Sequence, residues 1–132
     1  MTCGTTIHII DDDQAMLDSL SLLLTIEGYS VRTYESAGAF LDAIRQPAYG
    51  CVVTDVNMPG MSGLDLLTVM KEKNMSIPTI VITAVRDVRL SLNAMKQGAF
   101  DFLEKPLNAE ALLTAIRLAL MQSPTRHQRE NP

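Results

Sequence analysis

Short apolar runs alternate along the chain with longer stretches that are apolar on one face only. The runs lie at residues 6–10, 29–34, 51–55, 79–83 and 100–104. Apolar residues at helical spacing follow these runs, as at Leu17, Leu20 and Leu24 after the first one. Strands that alternate with helices predict five βα units built around one parallel sheet.

Capping residues mark the limits of the predicted helices. Asp13 or Gln14 opens the first helix, and Gly28 follows its end. Ser62 and Asp65 have the spacing of a capping box at the start of the third helix.

The other helices are delimited in the same way. The second is expected at residues 36–45 and the last at residues 108–121, while Asp87 caps the fourth and Gly98 ends it. The third helix carries Leu64, Leu67 and Met70 at helical spacing. The last helix is expected to bury Leu112, Ile116 and Leu120 or their neighbours.

Length and composition indicate one globular domain. The chain has 132 residues, of which 47% are hydrophobic and 20% charged, which suits a single core. We expect an N-terminal extension at residues 1–5 and the folded domain at residues 6–121. Residues 122–132 are polar and are expected to form a linker or tail.

Charge and cysteine usage exclude several classes of function. The net charge is −4, so a basic surface for direct nucleic-acid binding by this segment is not expected. Apolar stretches are too short to span a membrane, and the first residues do not have a signal-peptide pattern. Cys3 and Cys51 do not suggest a disulfide framework, and Cys51 is expected to be a core residue. A reducing cytoplasm is the expected location.

Residues with carboxylate, hydroxyl or ammonium side chains end or directly follow four of the apolar runs. Asp11 and Asp12 follow the first strand, Asp55 ends the third, Thr83 ends the fourth and Lys105 follows the fifth. In an open parallel α/β sheet, functional groups collect at the carboxyl ends of the strands. An acid pair, a single acid, a hydroxyl and a lysine therefore predict a Mg²⁺-dependent phosphoryl-acceptor site.

The metal would be held by oxygen atoms of this group. Asp12, Asp55 and the backbone carbonyl of Asn57 are the expected direct ligands, and Asp11 is expected to hold a metal-bound water. Mn²⁺ or Ca²⁺ could substitute for Mg²⁺. Because clustered carboxylates repel one another, at least one carboxylate pKa is expected to be raised.

The requirements of phosphoryl transfer indicate the roles of the other residues at this site. Asp55 is the expected nucleophile, because carboxylates form aspartyl phosphates. Lys105 neutralises charge, and the Thr83 hydroxyl with the backbone N–H near Ala84 binds phosphate oxygens. A cis peptide bond at Lys105–Pro106 would direct the lysine into the site.

Each of these residues has a simpler interpretation when taken alone. An aspartate after a strand is most often a turn former or N-cap, as expected for Asp13. Thr83 would be an ordinary strand residue, Phe102 a core residue and Lys105 a surface lysine. Because such residues occur at the ends of four strands, in this order and at this spacing, the functional interpretation is favoured for the group as a whole.

These motifs resemble those of the receiver domain of two-component response regulators. The matching segments are residues 9–13, 54–63, 81–84 and 101–106, and the resemblance extends over residues 6–121. It implies a single (βα)5, doubly wound, flavodoxin-like fold with a five-stranded parallel sheet in the order 2-1-3-4-5. It also implies phosphorylation of Asp55 by a sensor histidine kinase. Such a domain is not an enzyme and assists only its own phosphorylation and dephosphorylation.

Residues 55–63 and 94–99 most resemble the FixJ-like subfamily. That resemblance implies transcriptional regulation through a DNA-binding output domain, for which residues 124–132 would begin the linker. A stand-alone receiver that docks onto another protein is the main alternative. A haloacid-dehalogenase-type phosphatase would need an acid in place of Asn57. A flavin mononucleotide carrier would need a phosphate-binding loop in place of the acids that follow the first strand.

The resemblance also implies a switch made by Thr83 and Phe102. Thr83 moves toward the phosphate and Phe102 turns inward, which reshapes the face of the fourth helix, fifth strand and fifth helix. The apolar Val85 lies two residues after Thr83 and cannot order an attacking water, so a fairly long-lived aspartyl phosphate is expected, an effect that Asn57 could offset.

The fourth helix carries two apolar stripes. Leu90 and Ala94 form one stripe, and the other lies beside Lys96 and consists of Val88, Leu92 and Met95. We expect the second stripe to form a phosphorylation-dependent homodimer interface. The alternative is that this helix is simply well buried.

Overall fold

The computed structural model describes residues 6–45, 49–84 and 88–122, with only the backbone of Val88. Within them, strands and helices alternate strictly. The elements are β1 (Thr6–Ile10), α1 (Gln14–Ile26), β2 (Ser30–Tyr34), α2 (Ala37–Ala43), β3 (Gly50–Asp55), α3 (Gly63–Glu72), β4 (Thr79–Thr83), α4 (Val88–Lys96), β5 (Asp101–Glu104) and α5 (Ala109–Gln122). The predicted element types are confirmed.

The five strands form one parallel sheet in the order β2-β1-β3-β4-β5. This confirms the predicted doubly wound, flavodoxin-like fold. β1 lies between β2 and β3, with Ile10 paired to Tyr34 on one side and to Thr54 on the other. The register therefore brings the carboxyl ends of β1 and β3 side by side.

The alternating side chains of the strands pack against helices on both faces of the sheet. On one face, Ile7, Ile9 and Val53 share a core cluster with α1 and α5. On the other face, Val52 packs with α2 and α3, and Val81 packs with α3 and α4. β3 is buried at every position because helices cover both of its faces.

Several details differ from the sequence-based expectations. α2 ends at Ala43, two residues before its predicted end, and α5 continues to Gln122. On α3 the fully buried leucine is Leu66, and Leu64 is only partly buried. On α5, Leu112 and Ile116 are buried as expected, and Ala119, the neighbour of Leu120, is buried in its place. Helical spacing identifies the buried face of a helix, but it does not tell which of two adjacent apolar residues on that face is buried more deeply.

The predicted caps that lie within the described residues are confirmed. Asp13 caps α1 by accepting the N–H of Ala15, and Ser62 and Asp65 form a reciprocal capping box. Gly28 has a φ of 96°, a conformation that favours glycine after a helix. The predicted cap Asp87 lies outside the described residues.

The burial of Cys51 and the length of the helices can be compared with the expectations for reactive cysteines and membrane spans. Cys51 is buried, and burial raises the pKa of its thiol to about 12, as befits a core residue. In the parts of the chain that the structure describes, no helix combines the length and apolar character required to cross a membrane.

A buried polar cluster beneath α2 was not predicted. The Nδ1 atom of His8 lies 2.9 Å from the Tyr34 hydroxyl, and its ring packs against Tyr34 and Phe40. His8 is only 5% exposed. Burial lowers the pKa of His8 from 6.5 to about 4, with a smaller contribution from Arg32.

We predict that this histidine makes the fold sensitive to acid. Between pH 6.5 and 4 the unfolded state binds a proton that the folded state does not, so stability falls as the pH falls. The loss amounts to roughly 3 kcal/mol at pH 4. Urea unfolding of wild type and His8→Phe across this range measures it, and the variant should lose less stability. Parallel stability curves would contradict the prediction.

Candidate functional site

The predicted site residues meet at the carboxyl edge of the sheet. Asp11 and Asp12 follow β1 directly, and Asp55 is the last residue of β3. Thr83 ends β4 opposite Glu104, so Lys105 begins the next loop at the same level. Four strands thus bring these residues to one place, as their positions in the sequence predicted.

Three carboxylates converge there. Asp11, Asp12 and Asp55 each have one oxygen within a group whose members all lie within 4.8 Å of one another. Asp11 and Asp55 are 4% and 8% exposed, whereas Asp12 is open to solvent. Hard oxygen ligands with one open side suit a Mg²⁺ ion that keeps several waters.

The turn after β1 fixes the orientation of Asp11. Its backbone N–H donates to the carbonyl of Tyr34 at 3.1 Å, which continues the pairing of β1 with β2. Its Oδ1 accepts the N–H of Asp13 at 3.0 Å. Asp13 in turn caps α1 through its own carboxylate. The start of α1 therefore holds one oxygen of Asp11 and leaves Oδ2 facing the site.

Lys105 lies between two of the carboxylates. Its Nζ is 3.5 Å from Oδ2 of Asp55 and 3.6 Å from Oδ2 of Asp11. Its backbone N–H donates to the carbonyl of Thr83 at 2.8 Å, which anchors the lysine to the end of β4. The Lys105–Pro106 peptide bond is cis, as predicted.

The carboxylate whose pKa is raised is Asp11. Burial is the main cause, and the negative charges of Asp55 and Asp12 add to it. The hydrogen bond from Asp13 and the charge of Lys105 act in the opposite direction. The expected rise is confirmed, although desolvation contributes more than the repulsion between carboxylates from which it was predicted.

The other predicted residues surround this group. Thr83 is fully buried, Ala84 is exposed beside it, and Asn57 is exposed in the loop after β3. Phe102 is partly buried against a cluster that contains Val56, Leu67, Val81, Ala94 and Ala99. Val85 lies outside the described residues, so the phosphate lifetime inferred from it stays a prediction.

The peptide that carries Asp55 is held by contacts that the sequence did not suggest. Thr54 Oγ1 donates to the carbonyl oxygen of Asp55 at 3.1 Å. The N–H of Val56 donates to Ile82 of β4, and its carbonyl accepts the N–H of Gly63 of α3. Neither Thr54 nor Gly63 was predicted to belong to the site. Their proximity to Asp55 in the sequence was the available signal.

Comparison with known proteins identifies the family of this chain. Residues 7–117 match the family model described as the response regulator receiver domain. The transcriptional regulatory protein FixJ of Bradyrhizobium diazoefficiens is 46% identical over 123 residues, which cover 93% of this chain and 60% of FixJ. The chain therefore spans less than two thirds of the length of this curated relative.

Two solved structures extend the comparison. The crystal structure of FixJ-N has a TM-score of 0.80 and 41% identity, and covers 89% of this chain and 94% of its own. The beryllofluoride-activated receiver domain dimer of NtrC4 has a TM-score of 0.82 and 32% identity, with coverages of 89% and 97%. The chain belongs to the response regulator receiver domain family and, within it, to the FixJ-like subfamily.

We predict that Asp11→Asn makes the metal-free domain more stable at pH 7. A carboxyl group with a raised pKa in the folded state costs stability when it is ionised, and asparagine removes that cost. The Asn oxygen can still accept the Asp13 N–H. The variant should therefore have a higher Tm than wild type. Thermal unfolding in EDTA measures it.

The control is Asp13→Asn, which keeps an acceptor for the α1 cap and lies outside the group of converging carboxylates. It should leave Tm nearly unchanged. A decrease in Tm for Asp11→Asn would show that the carboxylate stabilises the fold, contrary to the prediction.

Proposed function

We propose that this domain is a Mg²⁺-dependent phosphoacceptor in which Asp55 receives the phosphoryl group. The observation that carries the proposal is the convergence of Asp11, Asp12 and Asp55 within 4.8 Å, with Lys105 at 3.5 Å from Asp55. Asp11, Asp12, Asp55 and the Asn57 carbonyl would hold the cation. A bound Mg²⁺ supplies charge neutralisation to the acids and to the transferred phosphoryl group.

Asp55 is suited to nucleophilic attack by its placement. A carboxylate oxygen of Asp55 forms the new P–O bond while the bond from phosphorus to the donor breaks, and the electron pair leaves with the donor. The Lys105 ammonium lies close enough to follow the charge that develops on the phosphoryl oxygens. The Thr83 hydroxyl and the Ala84 N–H would bind the remaining oxygens.

The natural donor in this proposal is a phosphohistidine of a sensor histidine kinase. The breaking bond is then P–N, and the electron pair returns to the imidazole ring. The relative FixJ is described as a transcriptional regulatory protein, and the chain spans only 60% of its length. We therefore propose that residues 6–121 form the receiver, that residues 122–132 begin a linker, and that the output regulates transcription.

The experiment is incubation with Mg²⁺ and acetyl phosphate, followed by intact mass spectrometry. Wild type should gain one phosphoryl group, EDTA should prevent the gain, and Asp55→Asn should not be phosphorylated. Lys105→Ala should reduce the initial rate by about 10²-fold or more, the usual effect of removing one charge-stabilising group. A wild-type chain that gains no phosphate under these conditions would disprove the proposal.

The switch in this proposal connects the site to α4. Thr83 ends β4, and Phe102 on β5 packs against the cluster that contains Ala94 of α4. Movement of the Thr83 hydroxyl to a phosphate oxygen would open space into which Phe102 turns. Phosphate must favour this second arrangement over the first, or no population shift follows.

The exposed stripe of α4 supports a dimer as the readout. Leu92 and Met95 are 55% and 48% exposed, whereas Ala94 is fully buried. The side chain of Val88 lies outside the described residues. The NtrC4 receiver, which shares the fold, is described as a dimer when activated by beryllofluoride. We propose that Val88, Leu92, Met95 and Lys96 contribute to an analogous homodimer interface here.

We predict that Leu92→Asp prevents dimerisation of the phosphorylated domain and leaves phosphorylation intact. A charge in the centre of an apolar interface is desolvated without a partner, which costs several kcal/mol. The control is Leu22→Asp on α1, where the leucine is 64% exposed on a different helix. Light scattering with and without beryllofluoride measures the dimer.

Two outcomes would change the interpretation. If Leu92→Asp dimerises like wild type, the interface lies elsewhere. If wild type is phosphorylated but stays monomeric, the alternative of a stand-alone receiver that docks onto another protein gains support.

A further inference from the structure

The first residue of α3 packs directly against the peptide between Asp55 and Val56. A Cβ atom built on Gly63 would lie 3.1 Å from the carbonyl carbon of Asp55 and 3.1 Å from the Cα of Val56. It would lie closer still to the carbonyl oxygen of Asp55, well below the 3.0 Å at which Cβ contacts end. A side chain at position 63 therefore cannot coexist with the present position of this peptide.

Neither of the two groups in this contact is free to move away. Val56 donates its N–H to Ile82 of β4 and accepts the N–H of Gly63, so the peptide is tied to both neighbours. The start of α3 is fixed by the capping box of Ser62 and Asp65. The fully buried Leu66 anchors the same turn in the core. A larger residue at position 63 must displace the end of β3, the start of α3, or both.

A second contact acts on the same carbonyl oxygen. The Thr54 hydroxyl donates to the Asp55 carbonyl at 3.1 Å, and Thr54 is completely buried. Thr54 is paired with Ile10 of β1, next to the acids that follow β1. The Asp55 carbonyl thus accepts a hydrogen bond from Thr54 and packs against Gly63, and both residues restrict its orientation.

We propose that Gly63 and Thr54 are positioning residues that set the place of the Asp55 carboxylate relative to Asp11, Asp12 and Lys105. The inference rests on the proposed phosphoacceptor function of Asp55. Neither residue touches the phosphoryl group. They act through the backbone from which the nucleophile projects, one by leaving space and the other by donating a hydrogen bond.

The required displacement is large on the scale that this chemistry tolerates. A Cβ at position 63 forces the two backbones apart by several tenths of an ångström. Catalytic groups need to be held within about 0.5 Å of their productive positions. Misplacement by about 1 Å costs on the order of 10²-fold in rate. We therefore expect Gly63→Ala to slow phosphorylation by about 10- to 100-fold.

The matched control is Gly38→Ala on α2. A Cβ there meets only the Ser36 hydroxyl at 3.9 Å, an ordinary contact, and the residue is exposed. Initial rates with Mg²⁺ and saturating acetyl phosphate are measured at a temperature well below Tm for every variant. Gly38→Ala should react at the wild-type rate, and Gly63→Ala should lose maximal rate with little change in the half-saturating donor concentration.

Thr54 provides a test that does not depend on the folding of Gly63→Ala. Thr54→Val removes the hydroxyl at nearly constant volume and should slow phosphorylation by about 3- to 10-fold, an estimate for one lost neutral hydrogen bond. Thr54→Ser keeps the hydroxyl and should retain more of the rate. A purely structural role would lower Tm without separating valine from serine in the rate at low temperature.

The outcomes separate this inference from the proposed function. If wild type is not phosphorylated, the proposed function fails. If wild type reacts and both Gly63→Ala and Thr54→Val stay within twofold of its rate, Asp55 is the acceptor but these residues do not position it. Equal loss in Gly38→Ala and Gly63→Ala would also overturn the inference. If Gly63→Ala does not fold, equal rates for Thr54→Val and Thr54→Ser overturn it.

Discussion

Three converging carboxylates, two of which lie beside one ammonium group, are the arrangement on which the rest of the site depends. β1 and β3 are adjacent, so their terminal acids face each other across a single strand spacing. Their negative charges repel each other at this range. Lys105 reaches back from the loop after β5 and lies within 3.6 Å of Asp11 and 3.5 Å of Asp55. The positive charge of Lys105 offsets part of the repulsion between the carboxylates. The cluster keeps a net negative charge, which favours the binding of a cation.

The parallel sheet explains why such a group can exist in a domain of this size. β3 is buried along its whole length, and an ionised side chain in its middle would be desolvated on both faces. At the carboxyl end the strand emerges from its cover of helices, so Asp55 keeps an opening toward solvent through the exposed Asp12 and Asn57. The same fold that buries the core thus concentrates charge at one edge.

Much of this arrangement was predictable because its signals are local. Apolar runs with polar endings identified the strands and placed Asp11, Asp55, Thr83 and Lys105 at one edge. The sheet order came from the resemblance to receiver domains, since alternation of strands and helices does not fix the order of strands. Long-range partners were the part that local patterns could not supply. His8 and Tyr34, which share a hydrogen bond, are 26 residues apart in the sequence, and no local sequence pattern predicts this contact.

The cause of the raised Asp11 pKa illustrates the same limit. Repulsion among acids follows from their order in the sequence, but desolvation depends on how completely Asp11 is covered, which only the packing determines. Likewise, the close approach of Gly63 to the Asp55 carbonyl depends on the angle at which α3 leaves its loop.

The backbone at Asp55 lies next to the residues on which α4 packs. Val56 follows Asp55 directly and belongs to the same apolar cluster as Ala94, Ala99 and Phe102. The Asp55–Val56 peptide is therefore in direct packing contact with the cluster that holds α4 on the sheet. Contact alone does not make a switch, because two alternative packings must exist and differ in their affinity for phosphate. Phe102 is only partly buried and packs against the cluster that contains Ala94 and Ala99. Because such interiors are close-packed, a change in the position of Phe102 would require its neighbours beneath α4 to repack.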